Sequence, residues 1–186
     1  MADGNKTASS SSSKRTITLK SNLDGELVEV DIKVAMESQF IKKLVEDDLT
    51  DSTLKESTPV FINATGRALA LLTEYCMKRV ELRDRLDVDG DKDKTEAYLR
   101  GTITSFHREF ANKLENAMDW VELSRAAYYM AVPDLLEFSC QTVAKFLPSM
   151  SVEEVRTLFN IKNDFTPEEE AEIIRAQNAD NDGHNN

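Results

Sequence analysis

Cysteine is nearly absent from this chain: Cys76 and Cys140 are the only two in 186 residues. They sit far apart in apolar surroundings, so neither a disulfide framework nor a zinc site is expected, and both are read as buried free thiols. Histidine is equally scarce, with His107 in a helical stretch and His184 in a polar tail. A thiol–imidazole pair would need a recognisable nucleophile motif around one of the cysteines, and none is present. The six glycines form no phosphate-cradling loop. The carboxylate runs Glu153-Glu154 and Glu168-Glu169-Glu170 lie in first helical turns, where the helix dipole accounts for them. No enzyme activity, cofactor or metal is expected. No apolar stretch is long enough to span a bilayer and the first residues carry no signal-peptide core, so the expected location is nucleus and cytoplasm. A net charge of −11 argues against nucleic acid or an anionic membrane as the main partner.

What remains is a helix-rich chain of ordinary single-domain size, 40% hydrophobic. Residues 1–14 end in a serine run and read as a disordered tail, as do residues 179–186. Thr16-Ile17-Thr18-Leu19 and Leu27-Val28-Glu29-Val30 read as short strands about a turn at Asn22 to Gly25, and Pro59-Val60-Phe61-Ile62 as a third. Met36, Phe40, Ile41, Leu44 and Val45 recur at helical spacing, and Leu69, Leu72, Cys76 and Val80 form one stripe of a further helix. The charged stretch 83–96 places Asp87, Asp89, Asp91 and Asp93 on alternate positions. An EF-hand starting at Asp87 would need glycine where Lys92 stands and glutamate where Tyr98 stands, so the stretch is read as an acidic solvated loop. Helices are predicted over 117–131, 134–147, 151–159 and 167–177.

The densest information lies between the last two helices. Ser151-Val152-Glu153-Glu154 opens one as a capping box, and Thr166-Pro167-Glu168-Glu169 opens the next with proline in its first turn. The connector between them carries Phe159, Ile161 and Phe165. So much apolar surface in a short connector requires a core or a partner to cover it. In helix 134–147 the apolar residues spread over roughly 240°, against the stripe of about 100° that a surface helix buries. Either the helix is central in the core, or Leu136, Cys140, Val143 and Leu147 serve the core and Leu135, Phe138 and Phe146 are surplus. In helix 117–131, Trp120, Leu123, Ala127 and Met130 form the buried stripe, while Tyr129 falls beside Glu122 and Arg125 on the polar face. Tyr129 is there either an interface anchor or a tyrosine packed on a neighbour.

The string Phe159-Asn160-Ile161-Lys162-Asn163-Asp164-Phe165-Thr166-Pro167-Glu168 resembles the C-terminal signature of the S-phase kinase-associated (Skp) adaptors of SCF (Skp–cullin–F-box) ubiquitin ligases. Ile17 to Ser21 with Asp24-Gly25-Glu26, Glu37-Ser38-Gln39, Glu46-Asp47-Asp48, Glu74-Tyr75-Cys76, Cys140 to Ala144 and Glu153 to Thr157 are similar to the family in the same order. The resemblance implies an α+β architecture. It comprises a BTB/POZ-like three-stranded sheet with helices over 15–131 and a helical F-box-binding extension over 123–178. It implies an adaptor without chemistry of its own, bridging F-box proteins to a cullin and, through the cullin, to a ring-finger protein. Carried onto matching positions, it places Cys140, Thr142, Val143, Val155, Phe159, Ile161, Asn163 and Phe165 in the F-box-binding region and Tyr128 and Tyr129 on the cullin-contacting surface. Departures are visible: Tyr128 replaces the usual asparagine, Ser124 and Arg125 stand at apolar positions, Phe106-His107-Arg108-Glu109-Phe110 replaces Trp-Asp-x-x-Phe, and the tail lacks the family's tryptophan. A divergent BTB/POZ-type scaffold with weak or no cullin binding is the alternative.

Overall fold

The computed structural model describes residues 15–51, 58–86, 102, 104–114 and 116–183. The tail 1–14 and the aspartates Asp87, Asp89, Asp91 and Asp93 fall outside the described residues. The chain divides into two compact units, residues 1–146 and 147–186.

The first unit is built on a three-stranded sheet of order β2-β1-β3. Strand β1 (Thr16–Ser21) pairs antiparallel with β2 (Leu27–Asp31), Leu19 lying opposite Val28, and parallel with β3 (Val60–Ile62), Leu19 lying opposite Val60. The hairpin closes where the sequence predicts, with Gly25 at φ 78°, a conformation that disfavours a side chain. A parallel neighbour requires a crossover, supplied by α1 (Ile32–Ala35) and α2 (Gln39–Asp51). The residues at helical spacing from Met36 to Val45 fall on two helices, with the break between Met36 and Phe40. Met36 caps the end of α1, and the buried Ser38 starts α2 by accepting the Ile41 N–H at 3.1 Å.

Helix α3 (Gly66–Leu86) runs across this layer, and Leu69, Leu72, Cys76 and Val80 are all buried, as their spacing predicts. Its last turn takes in residues 83–86, the start of the stretch expected to be loop. The N–H of Gly66 donates to Asp24 Oδ2 at 2.8 Å, and a Cβ at residue 66 would collide with Glu26. Glu37 ties the α1–α2 junction to α3 by accepting from Arg79 Nε at 3.1 Å and from Arg83, and Arg79 also bonds Asp134.

Helix α4 (104–111) lays Phe106, His107 and Phe110 against Tyr75 of α3. Helices α5 (Ala117–Tyr129) and α6 (Pro133–Phe146) pack against each other, and α5 also packs on α3. Trp120, Leu123, Ala127 and Met130 are buried, as their stripe predicts. The division of the chain at Leu147 leaves α6 in the first unit. Packing on α5 is the reason. The second unit holds a 3-10 turn (Leu147–Ser149), α7 (Val152–Phe159) and α8 (Pro167–Gly183), the last running beyond its predicted end at 177.

Two features of this core make measurable predictions. The buried Thr73 hydroxyl finds no hydrogen-bond partner among the described residues and borders a cavity of about 10 Å³. Thr73→Val replaces an unpaired polar group by a methyl, and should raise the unfolding free energy by about 1 kcal/mol in denaturant titration. Burial pushes the His107 pKa below its usual 6.5, with Asp134 opposing and Arg79 assisting, while its ring stacks on Phe138 at 3.8 Å and its Nε2 lies 3.2 Å from the Tyr75 hydroxyl. A depressed folded pKa leaves the unfolded chain binding more protons, so this contribution is full above 6.5 and is lost as pH falls through the folded value. Unfolding midpoints should therefore drop between about pH 7.5 and about pH 5.5, and His107→Gln should flatten that slope.

Candidate functional site

The predicted interaction residues lie on α5 and α6 in the first unit and on α7 and the connector that follows it in the second. On α6 the faces differ from expectation. Leu135, Ser139 and Val143 are buried, Phe138 stacks on His107 and meets Trp120 edge-on at 5.2 Å, and Leu136 and Leu147 are half-buried. Leu135, expected to be surplus, is buried, and Val143 is buried as expected. The reason is Ser139, which reads as polar in the sequence but satisfies its hydroxyl on the Leu136 carbonyl at 3.0 Å, so it is buried at low cost. The buried face is therefore centred on Leu135, Ser139 and Val143 instead of on Leu136 and Cys140. Cys140, expected buried, is exposed as a result. Thr142 is half-buried with its hydroxyl on the Phe138 carbonyl and Val143 is buried, so of the three α6 candidates Cys140 is the exposed one, beside the exposed Glu137, Gln141 and Ala144.

On α5, Tyr128 is 75% exposed and Tyr129 is 39% exposed. Tyr129 is not isolated on a polar face: it meets Phe40 of α2 edge-to-face with ring centroids 5.6 Å apart. Phe40 was legible as a member of a helical stripe, but the sequence gives no signal that it pairs with Tyr129. The two rings are held together because the α2 backbone bonds the end of α5: Gln39 N–H donates to Ala131 O at 3.2 Å and Phe40 N–H to Met130 O at 3.5 Å. Glu122, expected beside Tyr129, instead accepts from the Thr65 hydroxyl at 3.1 Å.

In the second unit both capping boxes form. Ser151 Oγ accepts the Glu154 N–H while Glu154 returns to the Ser151 backbone, and Thr166 and Glu169 make the same reciprocal pair. Those backbone N–H groups hold the Glu154 and Glu169 carboxyls below the usual range. Asn160 closes α7 in the left-handed conformation at φ 54°, with Ile161 N–H reaching back to Arg156 O at 2.8 Å. The connector is thus tied at both ends, yet Ile161 is 55% and Phe165 47% exposed, with Val155 and Phe159 half-buried. Asn163 is engaged inside the connector, its Oδ1 accepting the Phe165 N–H at 3.2 Å and its amide donating to Glu170 at 2.8 Å.

This arrangement suits binding. Among the described residues no group of His, Cys, Asp and Glu converges to hold a metal, and no helix is long and apolar enough to cross a membrane. His107 faces Tyr75 and Phe138 and makes no hydrogen bond to a thiol. Burial pushes the Cys76 thiol up to about 12, which withholds the thiolate that nucleophilic chemistry needs.

Two family descriptions match the chain: the tetramerisation domain of the Skp1 family over residues 15–81 and the dimerisation domain of the same family over residues 133–180. SKP1-like protein 1A of Arabidopsis thaliana is 41% identical over 169 residues, covering 88% of this chain and 95% of that protein. SKP1-like protein 3 of the same plant is 39% identical over 86% of this chain and 92% of its own length. SKP1-like protein 20 of Oryza sativa is 36% identical over 90% of this chain and 95% of its own length.

The contrast between the thiols gives a direct test of the α6 orientation. A colorimetric disulfide reagent near neutral pH should modify Cys140 rapidly and Cys76 only on unfolding. Equal protection of both thiols in the native protein would return Cys140 to the core.

Proposed function

The chain belongs to the Skp1 family, and we propose that it meets its partners through the two kinds of surface described above. Skp1-family proteins bind F-box proteins and a cullin in SCF complexes, and this chain is an adaptor subunit of an SCF-type ubiquitin ligase. At residue level, the proposal assigns the F-box protein to Val155, Phe159, Ile161, Asn163 and Phe165, with Cys140, Thr142 and Val143 of α6 as further contacts. Of these last three, Cys140 is the one at the surface of the free chain. The cullin is assigned to Tyr128 and Tyr129, joined by Phe40. The adaptor performs no chemistry of its own. Ubiquitin transfer belongs to the ring-finger and conjugating enzymes that a cullin brings, and the adaptor supplies effective concentration and geometry.

The observation that carries the F-box assignment is the exposure of Ile161 and Phe165 on a connector held by two capping boxes. Large apolar groups on an ordered backbone are what a partner covers at a low entropic cost. An amphipathic helix of the partner is the natural complement, since apolar burial yields about 25 cal/mol per Å² before association costs. The second reading, a divergent scaffold with weak cullin binding, is favoured by Tyr128 and Arg125, both exposed where the family pattern is asparagine and apolar.

Calorimetric titrations with a purified F-box protein and with a cullin amino-terminal fragment decide between these. Phe165→Ala should weaken F-box binding by about 30-fold, the cost of truncating a 2 kcal/mol anchor, with the far-ultraviolet spectrum unchanged. Tyr129→Lys should abolish cullin binding by burying an unpaired ammonium and leave F-box affinity within about twofold. If Tyr129→Lys loses both partners while folded, the surfaces are not separable. If the wild-type chain binds F-box protein and no cullin, the scaffold reading replaces the adaptor reading.

A further inference from the structure

Arg156 is the residue of the second unit for which the apolar pattern has no use. Its side chain is only 15% exposed, although it lies on a short helix with water on much of its surface. The guanidinium carbon stands 6.0 Å from the centre of the Phe165 ring. One guanidinium nitrogen bonds Glu153 in the preceding turn and, at 3.1 Å, Glu170 in the first turn of α8. Glu170 Oε1 also accepts from the Asn163 amide at 2.8 Å, and Asn163 Oδ1 in turn accepts the Phe165 N–H at 3.2 Å. These contacts close a ring: Arg156 to Glu170, Glu170 to Asn163, Asn163 to the Phe165 backbone, and the Phe165 ring back to Arg156.

We propose that Arg156 is a positioning residue of the F-box surface, holding the exposed Phe165 ring in the pose that the partner receives. The inference deepens the assignment above and rests on Phe165 being a contact. Phe165 is 47% exposed, so little core surrounds its ring and contacts such as that of Arg156 weigh more on its orientation. Ordering such a side chain on binding lowers affinity, and a preset ring escapes that loss. Only arginine fills the role. Its planar cation stacks on an aromatic face while its edge bonds a carboxylate, whereas a lysine ammonium reaches Glu170 as a point charge and gives up the stacking geometry.

A merely structural arginine would support α7 and α8 irrespective of Phe165, so the test is a double-mutant cycle on the full chain. F-box affinity is measured by calorimetry for wild type, Arg156→Lys, Phe165→Ala and the double variant, with thermal melts of each. Arg156→Lys should weaken binding by about threefold to tenfold in the wild-type background, the range expected for ordering one side chain. In the Phe165→Ala background its effect should fall below about 1.5-fold. Glu170→Gln, which weakens the anchor of the same ring of contacts, should show the same dependence on Phe165. Equal losses from Arg156→Lys in both backgrounds would overturn the positioning role while sparing the F-box surface. No loss from Phe165→Ala alone would overturn both, through the surface itself.

Discussion

The first unit depends on one corner, Met130-Ala131-Val132. Ala131 takes a left-handed conformation, φ 51°, that non-glycine residues avoid at a cost of about 1–2 kcal/mol. The return is local and specific. Val132 N–H closes on Ala127 O at 2.9 Å, and Leu136 N–H on Val132 O starts α6 with Pro133 in its first turn, where a missing N–H does no harm. The Met130 and Ala131 carbonyls, freed at the end of α5, receive the Ser38 hydroxyl and the N–H groups of Phe40 and Gln39. Each of those bonds is worth about 1 kcal/mol net, and more if the alternative is a buried unpaired carbonyl. One turn thus reverses the chain, caps α5, receives α2 and sets Tyr129 against Phe40. Packing of the crossover and presentation of the aromatic pair cannot be separated here.

That corner also explains what could be read from the chain and what could not. The strands, the Gly25 turn, the α3 stripe and both capping boxes are local: each depends on residues within a few positions of one another, and the structure places them where periodicity and cap chemistry put them. The orientation of α6 is not local. It is fixed by the corner before it and by packing on α5, where the buried Ala126 and Ala127 lie. Apolar counting on a helix that is apolar nearly all round cannot choose a face, and Ser139 pointed the wrong way because a serine that bonds its own helix is effectively a small apolar residue. The exposure of Cys140 follows from the face that is buried. The Tyr129–Phe40 pair was out of reach for a related reason, since its partners are distant in sequence and are brought together by backbone bonds between helices.

The second unit solves a different problem, keeping apolar groups at the surface without losing their arrangement. An exposed phenylalanine on an unconstrained connector would be an entropic liability for any partner. Here the two helices flanking the connector are short or acidic and weak on their own, so their caps matter more than their propensities. Ser151 and Thr166 satisfy the first amides of α7 and α8, and Asn160 satisfies the last carbonyls of α7. The carboxylates of Glu153, Glu154, Glu168, Glu169 and Glu170 crowd first turns, where the dipole favours them. Much of the negative charge of this part of the chain is therefore doing conformational work, and acidity alone says little about the partner. An adaptor lowers the entropy of bringing two other molecules together, and it can do so only to the extent that each of its contact surfaces is already ordered before either partner arrives.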